Sequence, residues 1–402
     1  MMEACIIGLG YIGLPTALMM AAHGVKVDAV DYNKEIISRL QNGKVTFEEV
    51  GLEELFKQAV DGGINFRNDY PAHDFYVIAV PTPYIEATKK VDATYVVRAV
   101  ESVLKCCKDG AIIVVESTIA PGTIDREVRP VVEKARRKVY LAHAPERIIP
   151  GNMMYELVHN SRTIGSDEAV VGEKVKEVYS SFCKGEIVLT DIRTAEMSKV
   201  VENTFRDINI AYANELAKIC RQNGMDVYEV IRIANKHPRV NILQPGPGVG
   251  GHCISVDPWF LVGDYPELAK LIYQARMVNS QMPEFVLERI ETIMKEHDII
   301  DFGKVGLYGL TYKEDVDDVR ESPTLQLLDV MKKHGIFQPV VYDPMIEKNI
   351  VENQVHDFND FLNQVDMVVV LVGHTQLKEQ LDRLQGKIVL DTRCICKDSY
   401  TL

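Results

Sequence analysis

The segment around Cys253 has the residue types of a nucleophilic site, in a chain of 402 residues. It reads Gln244-Pro-Gly-Pro-Gly-Val-Gly-Gly-His-Cys253-Ile-Ser-Val-Asp257, with four glycines and two prolines ahead of the cysteine. This composition excludes a helix or a central strand, and it lets the backbone approach another group closely. Cys253 is therefore a candidate nucleophile, although a turn-rich linker with a buried cysteine has the same composition.

A second candidate group lies on a predicted long helix that begins near Thr194. Its apolar residues recur with a helical period, and Lys199, Asn203 and Arg206 are separated by four and three residues. This spacing puts an ammonium, an amide and a guanidinium on one helix face. Together they suit an anionic or oxyanionic ligand, and a solvated polar stripe is the alternative that the spacing leaves open.

The N-terminus carries a dinucleotide-binding fingerprint. An apolar strand runs into Gly8-Leu-Gly10-Tyr-Ile-Gly13, a predicted helix follows, and Asp31 ends the next predicted strand 18 residues after Gly13. In such a unit the glycines admit the pyrophosphate at the helix N-terminus, and the carboxylate binds the ribose hydroxyls. Because that carboxylate would repel a 2′-phosphate, the pattern favours NAD over NADP.

Polar residues follow three further predicted strands. One strand runs into Pro81-Thr82-Pro83, another into Ser117-Thr118, and a third into a segment with Glu146 and Arg147. Open α/β sheets bind ligands at the carboxyl ends of their strands. Thr82 and Thr118 are therefore candidate cofactor contacts, with simple turn residues as the alternative. Glu146 and Arg147 are a candidate base and anion ligand, or else a surface ion pair.

The order of elements predicts an α/β protein with three domains. We expect an N-terminal Rossmann domain over residues 1–190, a central long-helix domain with the cysteine loop and dimerisation helices over residues 191–298, and a C-terminal Rossmann-like α/β domain over residues 299–402. The last domain repeats the order strand, loop, helix and strand ending in an aspartate, Asp343, but it lacks the glycine fingerprint. It could bind a mononucleotide moiety.

Composition narrows the class of protein. The net charge of −13 argues against nucleic-acid binding, and no apolar run reaches the roughly 18 residues of a membrane span. Eight cysteines in a chain of this length are not a disulfide framework, and their spacing is not that of zinc ligands. With a strand-like run directly at the N-terminus, we expect a cytoplasmic protein without a metal site.

In their order along the chain, these motifs resemble those of the nucleotide-sugar 6-dehydrogenases over essentially the whole length. The motifs are Gly8-x-Gly10-x-x-Gly13, Pro81-Thr-Pro83, Ser117-Thr-x-x-Pro121-Gly-Thr123, Pro145-Glu146-Arg147, Glu196-x-x-Lys199-x-x-x-Asn203, Gly248-x-Gly-Gly-x-Cys253-x-x-x-Asp257 and Lys313-x-x-x-x-Asp318-x-Arg320. The resemblance implies oxidation of the C6 hydroxymethyl of a UDP-sugar to a carboxylate with two NAD⁺. It favours UDP-N-acetyl-D-mannosamine, with UDP-N-acetylglucosamine and UDP-glucose as alternatives.

The resemblance also implies roles for individual residues. Cys253 would carry a thiohemiacetal and then a thioester, Lys199 and Asn203 would stabilise the oxyanion, and Asp257 or Glu146 would activate water. Family members are usually dimers or larger, so we expect a homo-oligomer whose active site is shared between subunits. Implied NAD contacts are Gly8, Gly10, Tyr11, Ile12, Gly13, Asp31, Thr82, Thr118 and, from a second subunit, Arg320. Implied substrate contacts are Arg147, Ile148, Lys199, Asn203, Arg206, His237, Arg239, Gly250, Lys313 and Arg393.

One departure from the family pattern and two other functions stay open. Pro150 stands where two branches of the family have a second glutamate, four positions after the first, so the water-activating residue is undecided between Glu146 and Asp257. A two-electron β-hydroxy-acid dehydrogenase would also combine a Rossmann domain with a helical lysine. A non-catalytic NAD-sensing module would need neither Cys253 nor Lys199.

Overall fold

The computed structural model describes residues 2–251 and 253–402. They form two compact units. The first contains the described residues up to Glu202 together with Trp259–Tyr265, and the second contains Asn203–Pro258 and Pro266–Leu402. The division into three domains expected from the sequence cuts the chain differently and stays a prediction.

The first unit is built on one large sheet. Its strands are β1 (Glu3–Ile7), β2 (Lys26–Val30), β3 (Asn65–Arg67), β4 (Phe75–Ile78), β5 (Ala111–Val115), β6 (Val139–His143), β7 (Arg162–Ser166) and β8 (Ile187–Thr190). The sheet order is β3-β2-β1-β4-β5-β6-β7-β8. All neighbours are parallel except β6 and β7, which pair antiparallel through Ala142–Ser166 and His143–Gly165. The first six strands have the order of a dinucleotide-binding fold, which confirms the predicted Rossmann domain.

Helices cover this sheet because its strands are apolar on both faces. Every side chain of β4 and β5 is buried, as expected for the interior of a parallel sheet. Helix α1 buries nine residues from Gly13 to Ala21 against the core. The α-helices of this unit ahead of residue 191 are α1 (Gly13–Ala22), α2 (Lys34–Gln41), α3 (Leu52–Asp61), α4 (Thr94–Cys106), α5 (Arg129–Ala135), α6 (Met153–His159) and α7 (Ala169–Tyr179).

A long helix, α8 (Ile192–Gln222), begins in the first unit and ends in the second, and it confirms the helix predicted from Thr194. The helices that follow are α9 (Val227–Ala234), α10 (Asp257–Asp264), α11 (Lys270–Ser280) and α12 (Met282–Glu296). Pro283 lies in the first turn of α12, where a proline ring fits because no intrahelical donor is lost.

The second unit contains a smaller parallel sheet. Its strands are β9 (Val305–Tyr308), β10 (Val340–Tyr342), β11 (Gln354–Val355), β12 (Met367–Val370) and β13 (Ile388–Asp391), in the order β11-β10-β9-β12-β13. The helices beside it are α13 (Pro323–Lys333), α14 (Phe358–Gln364) and α15 (Thr375–Glu379). Ser322 caps α13 by accepting the Thr324 amide, as the Ser-Pro pair predicts.

The two sheets repeat one local device. In the first, Gly8 has φ +90° and the Asp31 carboxylate accepts the amide of Leu9. In the second, Gly309 has φ +100° and Asp343 accepts the Leu310 and Thr311 amides. The strand order and this turn confirm the Rossmann-like character of the C-terminal part.

No helix in the described residues is long and apolar enough to cross a membrane.

Candidate active site

The glycine turn after β1 has the shape of an anion cradle. A Cβ on Gly13 would collide with the Gly8 carbonyl, and one on Gly8 would collide with the Ala79 carbonyl, so both positions exclude larger residues. By contrast, no described atom lies within 4 Å of a Cβ built on Gly10. The space beside Gly10 lies next to the N-terminus of α1, whose N-cap residue Ile12 makes no side-chain capping hydrogen bond. A pyrophosphate fits there, at the positive end of the helix dipole.

Asp31 is positioned for a ribose diol. One carboxylate oxygen accepts the Leu9 amide and the other accepts the Asn33 amide, each at 2.8 Å. Each oxygen keeps a lone pair for a further donor. The ring of Tyr11 packs on Phe47, with 4.3 Å between ring centroids, and Ile12 is half-buried beside it. The residues present therefore fit NAD.

The loops after β4 and β5 are joined by two predicted cofactor residues. The Thr82 hydroxyl donates to the carbonyl of Thr118 at 2.6 Å. The neighbouring Ser117 hydroxyl donates to the Val80 carbonyl at 2.7 Å. The structure thus brings Thr82 and Thr118 together at the carboxyl edge of the sheet, where the sequence predicts them.

The loop after β6 carries Glu146 and Arg147, and each side chain has a charged partner other than its neighbour. Glu146 is paired with the buried Arg162. Arg147 contacts Glu202 at 2.7 Å and donates to the Thr163 hydroxyl at 3.0 Å. Ile148, next in the chain, is buried. The pair is therefore not the isolated surface ion pair that the sequence left open.

Helix α8 presents several of the predicted groups. Lys199 and Asn203 are buried, whereas Arg206 is exposed. One turn ahead of Lys199, the Glu196 carboxylate accepts the Gly122 and Ile124 amides and so fastens the loop after β5 to the helix. Burial raises the pKa of Glu196 to about 7.

Asn203 and Asp257 meet directly. The Asn203 side-chain amide donates to the Asp257 carboxylate at 2.6 Å, and both residues are buried. The backbone amide of Asp257 donates to the Cys253 carbonyl at 2.9 Å, so the exposed cysteine lies one turn ahead of the aspartate. Three of the predicted catalytic residues thus belong to one local arrangement in the second unit.

The glycines ahead of Cys253 make room for the protein itself. A Cβ on Gly250 would lie 2.6 Å from the Glu321 carbonyl and 2.8 Å from the Tyr312 Cβ, and the Gly251 amide donates to the Arg320 carbonyl at 3.0 Å. The sequence predicts that the backbone approaches another group closely here, and at Gly250 that group is the segment ahead of α13. His252 lies outside the described residues.

The remaining predicted binding residues lie in the second unit. Arg393 lies beside the start of the cysteine loop, because a Cβ on Gly246 would be 3.0 Å from its guanidinium. Arg320 forms a bidentate pair with Asp318, and Lys313 is half-buried. His237 and Arg239 are exposed after α9.

Domain models of known families match the chain in order. They are the NAD binding domain of the UDP-glucose/GDP-mannose dehydrogenase family over residues 2–183, its central domain over residues 193–281 and its UDP binding domain over residues 306–398. The chain belongs to the UDP-glucose/GDP-mannose dehydrogenase family. Its cofactor is NAD and its substrate is a UDP-sugar, as the family's first and third domains indicate.

Relatives within this family are similar over almost the full length. The chain is 45% identical to the UDP-N-acetyl-D-mannosamine dehydrogenase of Methanococcus vannielii, over 98% of this chain and 93% of the relative. The solved UDP-N-acetyl-mannosamine dehydrogenase Cap5O from Staphylococcus aureus matches with a TM-score of 0.88 and 42% identity, over 100% of this chain and 96% of that one. The UDP-D-ManNAc dehydrogenase from Pyrococcus horikoshii matches with a TM-score of 0.91 and 34% identity, over 99% and 96%.

Two buried networks of polar side chains could not be predicted from the sequence. One joins Arg162 to Glu116 and Glu146. The other joins Asp207, Asn214, Arg276 and Asn279 to the amide of Gly246. Their partners lie 16 to 72 residues apart in the chain, so no local spacing could reveal them.

Proposed function

We propose that the enzyme oxidises the C6 hydroxymethyl of UDP-N-acetyl-D-mannosamine to the carboxylate of UDP-N-acetyl-D-mannosaminuronate. The observation that supports this proposal is the contact of Asn203 with Asp257, because Asp257 lies one backbone turn after the candidate nucleophile Cys253. The identity of 45% with a curated UDP-N-acetyl-D-mannosamine dehydrogenase supports the choice of sugar.

Cys253 is the proposed nucleophile. NAD⁺, when bound, would supply the hydride acceptor, one molecule for each of the two oxidations. The Cys253 thiolate adds to the C6 aldehyde after the first oxidation, forming a carbon–sulfur bond and an oxyanion, and the second oxidation leaves a thioester. Water then adds to the thioester carbon and the thiolate leaves, so water supplies the second carboxylate oxygen. The covalent link keeps the aldehyde from escaping between the two steps.

Lys199 and Asn203 are the proposed donors to the C6 oxyanion. Both are buried, and a spacing of four residues on α8 gives them the same helix face. Donors fixed in a water-poor site stabilise a developing negative charge without having to reorganise.

Asp257 is the better candidate for activating water. The Asn203 amide donates to Oδ2 of Asp257 and so orients the carboxylate near the cysteine loop. Both oxygens of Glu146 are engaged within the protein, one by Arg162 and the other by the Arg147 amide at 2.6 Å. A carboxylate whose two oxygens both accept donors from the protein has less lone-pair capacity left for a water molecule.

The other assignments carry over from the family resemblance. NAD would contact Gly8, Gly10, Tyr11, Ile12, Gly13, Asp31, Thr82 and Thr118, and the UDP-sugar would contact Arg147, Ile148, Arg206, His237, Arg239, Gly250, Lys313 and Arg393. The described cysteines form no disulfide, and a thiol nucleophile with NAD suits the cytoplasm.

We also propose a homodimer that packs through α8 and receives Arg320 from the second subunit at the cofactor. Phe205, Tyr212 and Ile219 repeat every seven residues on that helix and are 66%, 53% and 46% exposed. An exposed apolar stripe of this period is typical of a helix interface. Light scattering should give a dimer for the natural chain and a monomer for Phe205→Glu, whereas a dimeric Phe205→Glu would contradict this interface.

Counting NADH per sugar tests the proposed reaction. A panel of UDP- and GDP-sugars should give the highest kcat/KM with UDP-N-acetyl-D-mannosamine, with two NADH per molecule. A higher value with UDP-N-acetylglucosamine or UDP-glucose would replace the sugar, and one NADH per molecule would indicate a two-electron dehydrogenase. NAD binding without turnover of any sugar would indicate a sensing module.

A further inference from the structure

Arg162 is a buried arginine at the start of β7, and none of the family motifs above includes it. Its side chain is 3% exposed. The guanidinium is paired with Glu146 and lies 3.2 Å from the Glu116 carboxylate. It also stacks over the Tyr179 ring, 4.4 Å from the centroid. An arginine held on several sides in this way has a fixed geometry.

The two carboxylates compete for this one cation. Tyr179 donates its hydroxyl to one Glu116 oxygen at 3.0 Å, and the other oxygen, Oε2, has no hydrogen-bond partner among the described residues. Burial raises the pKa of Glu116 to about 7. Glu116 therefore accommodates a proton more readily than an exposed carboxylate. The contact of Arg162 with Glu146 holds the loop after β6.

This ion pair fastens one loop, which we call the substrate loop: residues 144–152, between β6 and α6. The Arg147 amide donates to Glu146, and the Arg147 side chain donates to the Ser161 carbonyl at 3.1 Å and to the Thr163 hydroxyl at 3.0 Å. Glu146 and Arg147 are thus both attached to the start of β7, Glu146 through Arg162 and Arg147 through Thr163 and the preceding Ser161. Loss of the Arg162 guanidinium would free the Glu146 carboxylate, which also holds the Arg147 amide, and so loosen the residues proposed to contact substrate.

We propose that Arg162 is a positioning residue of the active site: it fixes the Glu146 carboxylate as the anchor of the substrate loop, so that Glu146 does not take the proton of the hydrolytic water. The inference rests on the proposed function, in which Arg147 and Ile148 contact the UDP-sugar. It assigns to Glu146 a role in binding rather than in the chemical step.

The Glu146→Gln variant distinguishes a role of Glu146 as loop anchor from a role as the base that activates water. An anchor that shapes the binding loop should leave kcat within about threefold and raise KM for the UDP-sugar about tenfold. The acid limb of the kcat–pH profile should stay unchanged, and mass spectrometry of quenched enzyme should find no thioester on Cys253. A fall in kcat of about 10²–10⁴-fold, with thioester accumulating, would make Glu146 the base and overturn the proposal.

Arg162 variants test the other end of the pair. Arg162→Met should raise KM by a similar factor, Arg162→Lys should restore part of the loss, and Arg162→Met combined with Glu146→Gln should be no worse than Arg162→Met alone, because the two residues act through one interaction. Additive effects on KM would contradict the proposal. Arg137→Met is the matched control, since Arg137 forms a half-exposed surface pair with Asp109 at 3.5 Å.

Hydrogen exchange of the substrate loop gives a readout that needs neither turnover nor the Arg162→Met variant. Peptides covering residues 144–152 should exchange faster in Arg162→Lys and Glu146→Gln than in the natural chain or Arg137→Met. Equal exchange rates in these variants and in the natural chain would overturn the proposal that Arg162 anchors the loop. If the natural chain makes no NADH with any UDP-sugar, the proposed function fails, while this exchange measurement still decides whether Arg162 fixes the loop.

Discussion

The side-chain amide of Asn203 donates to the carboxylate of Asp257 at 2.6 Å, in a place where both residues are buried. The two residues are 54 positions apart, one on α8 and the other at the start of α10. A side-chain amide binds an ionised carboxylate only by donating through its nitrogen, so the amide oxygen of Asn203 points away from Asp257. The contact therefore fixes the direction of the Asp257 carboxylate one turn after Cys253.

Asp257→Asn should stop the reaction after the second oxidation. Without a carboxylate no group at this position can take the proton of water, so we expect kcat to fall by about 10²–10⁴-fold. The thioester should then persist on Cys253 and be seen as a mass increase of the quenched protein. Hydrolysis at the normal rate in this variant would transfer the role of base to another residue.

Asn279→Leu should weaken the support of the cysteine loop. Asn279 donates to Asp207 at 2.8 Å and accepts from Asn214, whose oxygen accepts the Gly246 amide at 2.9 Å. Leaving such buried groups without partners should lower the free energy of unfolding by about 3 kcal/mol.

Because Gly246 begins the loop that carries Cys253, kcat of Asn279→Leu should also fall, even at a temperature where the variant is folded. Denaturant unfolding and steady-state kinetics measure the two effects. The exposed Asn42→Leu is the control. Loss of stability with unchanged kcat would show that the network supports only the fold.

Gly10→Ala should weaken NAD binding without weakening the fold. No described atom lies within 4 Å of the added methyl group, so the free energy of unfolding should change by less than about 0.5 kcal/mol. The methyl group would occupy space for the pyrophosphate. Calorimetry should therefore show a Kd for NAD⁺ raised at least about tenfold, because a loss of about 1.4 kcal/mol in binding free energy is enough for that change.

Gly13→Ala provides the contrast, because its methyl group would collide with the Gly8 carbonyl. It should destabilise the protein itself. An unchanged Kd for NAD⁺ in Gly10→Ala would place the pyrophosphate elsewhere.

These contacts also show what the sequence could predict. The glycine turn and the Ser322 cap depend on residues close in the chain, and Asp31 follows from the spacing of the dinucleotide-binding fingerprint. The structure has all three as predicted. Thr82 and Thr118 follow strands whose carboxyl ends are adjacent, so their meeting follows from strand order.

The partners of Glu146 could not be foreseen, since Arg162 lies on the only antiparallel strand pair described, and that pairing has no local signature. The neighbours of Gly250 were also missed: the loop is tight against the segment ahead of α13, and glycine spacing alone does not say whether backbone or ligand fills the space.

Stability should fall as the pH rises through the range set by two buried glutamates. Burial raises the pKa of Glu116 and of Glu196 from 4.5 to about 7 in the folded protein. Between these values the unfolded chain has lost protons that the folded protein retains, so the free energy of unfolding decreases with rising pH and levels off above about 7.

Glu116→Gln and Glu196→Gln should each flatten that part of the curve, because glutamine does not titrate. Thermal unfolding from pH 4.5 to 8 measures the slope, with the exposed Glu101→Gln as control. The same slope in both buried variants and the control would contradict the assignment.

The covalent step on Cys253 is tested most directly by counting NADH and identifying the product of Cys253→Ser with UDP-N-acetyl-D-mannosamine. Cys394→Ser, at another exposed cysteine, is the control and should give two NADH and the uronate. Cys253→Ser should release no more than one NADH per sugar and stop at the aldehyde or an adduct of it. Uronate formed by Cys253→Ser at the normal rate, with two NADH, would contradict the covalent mechanism.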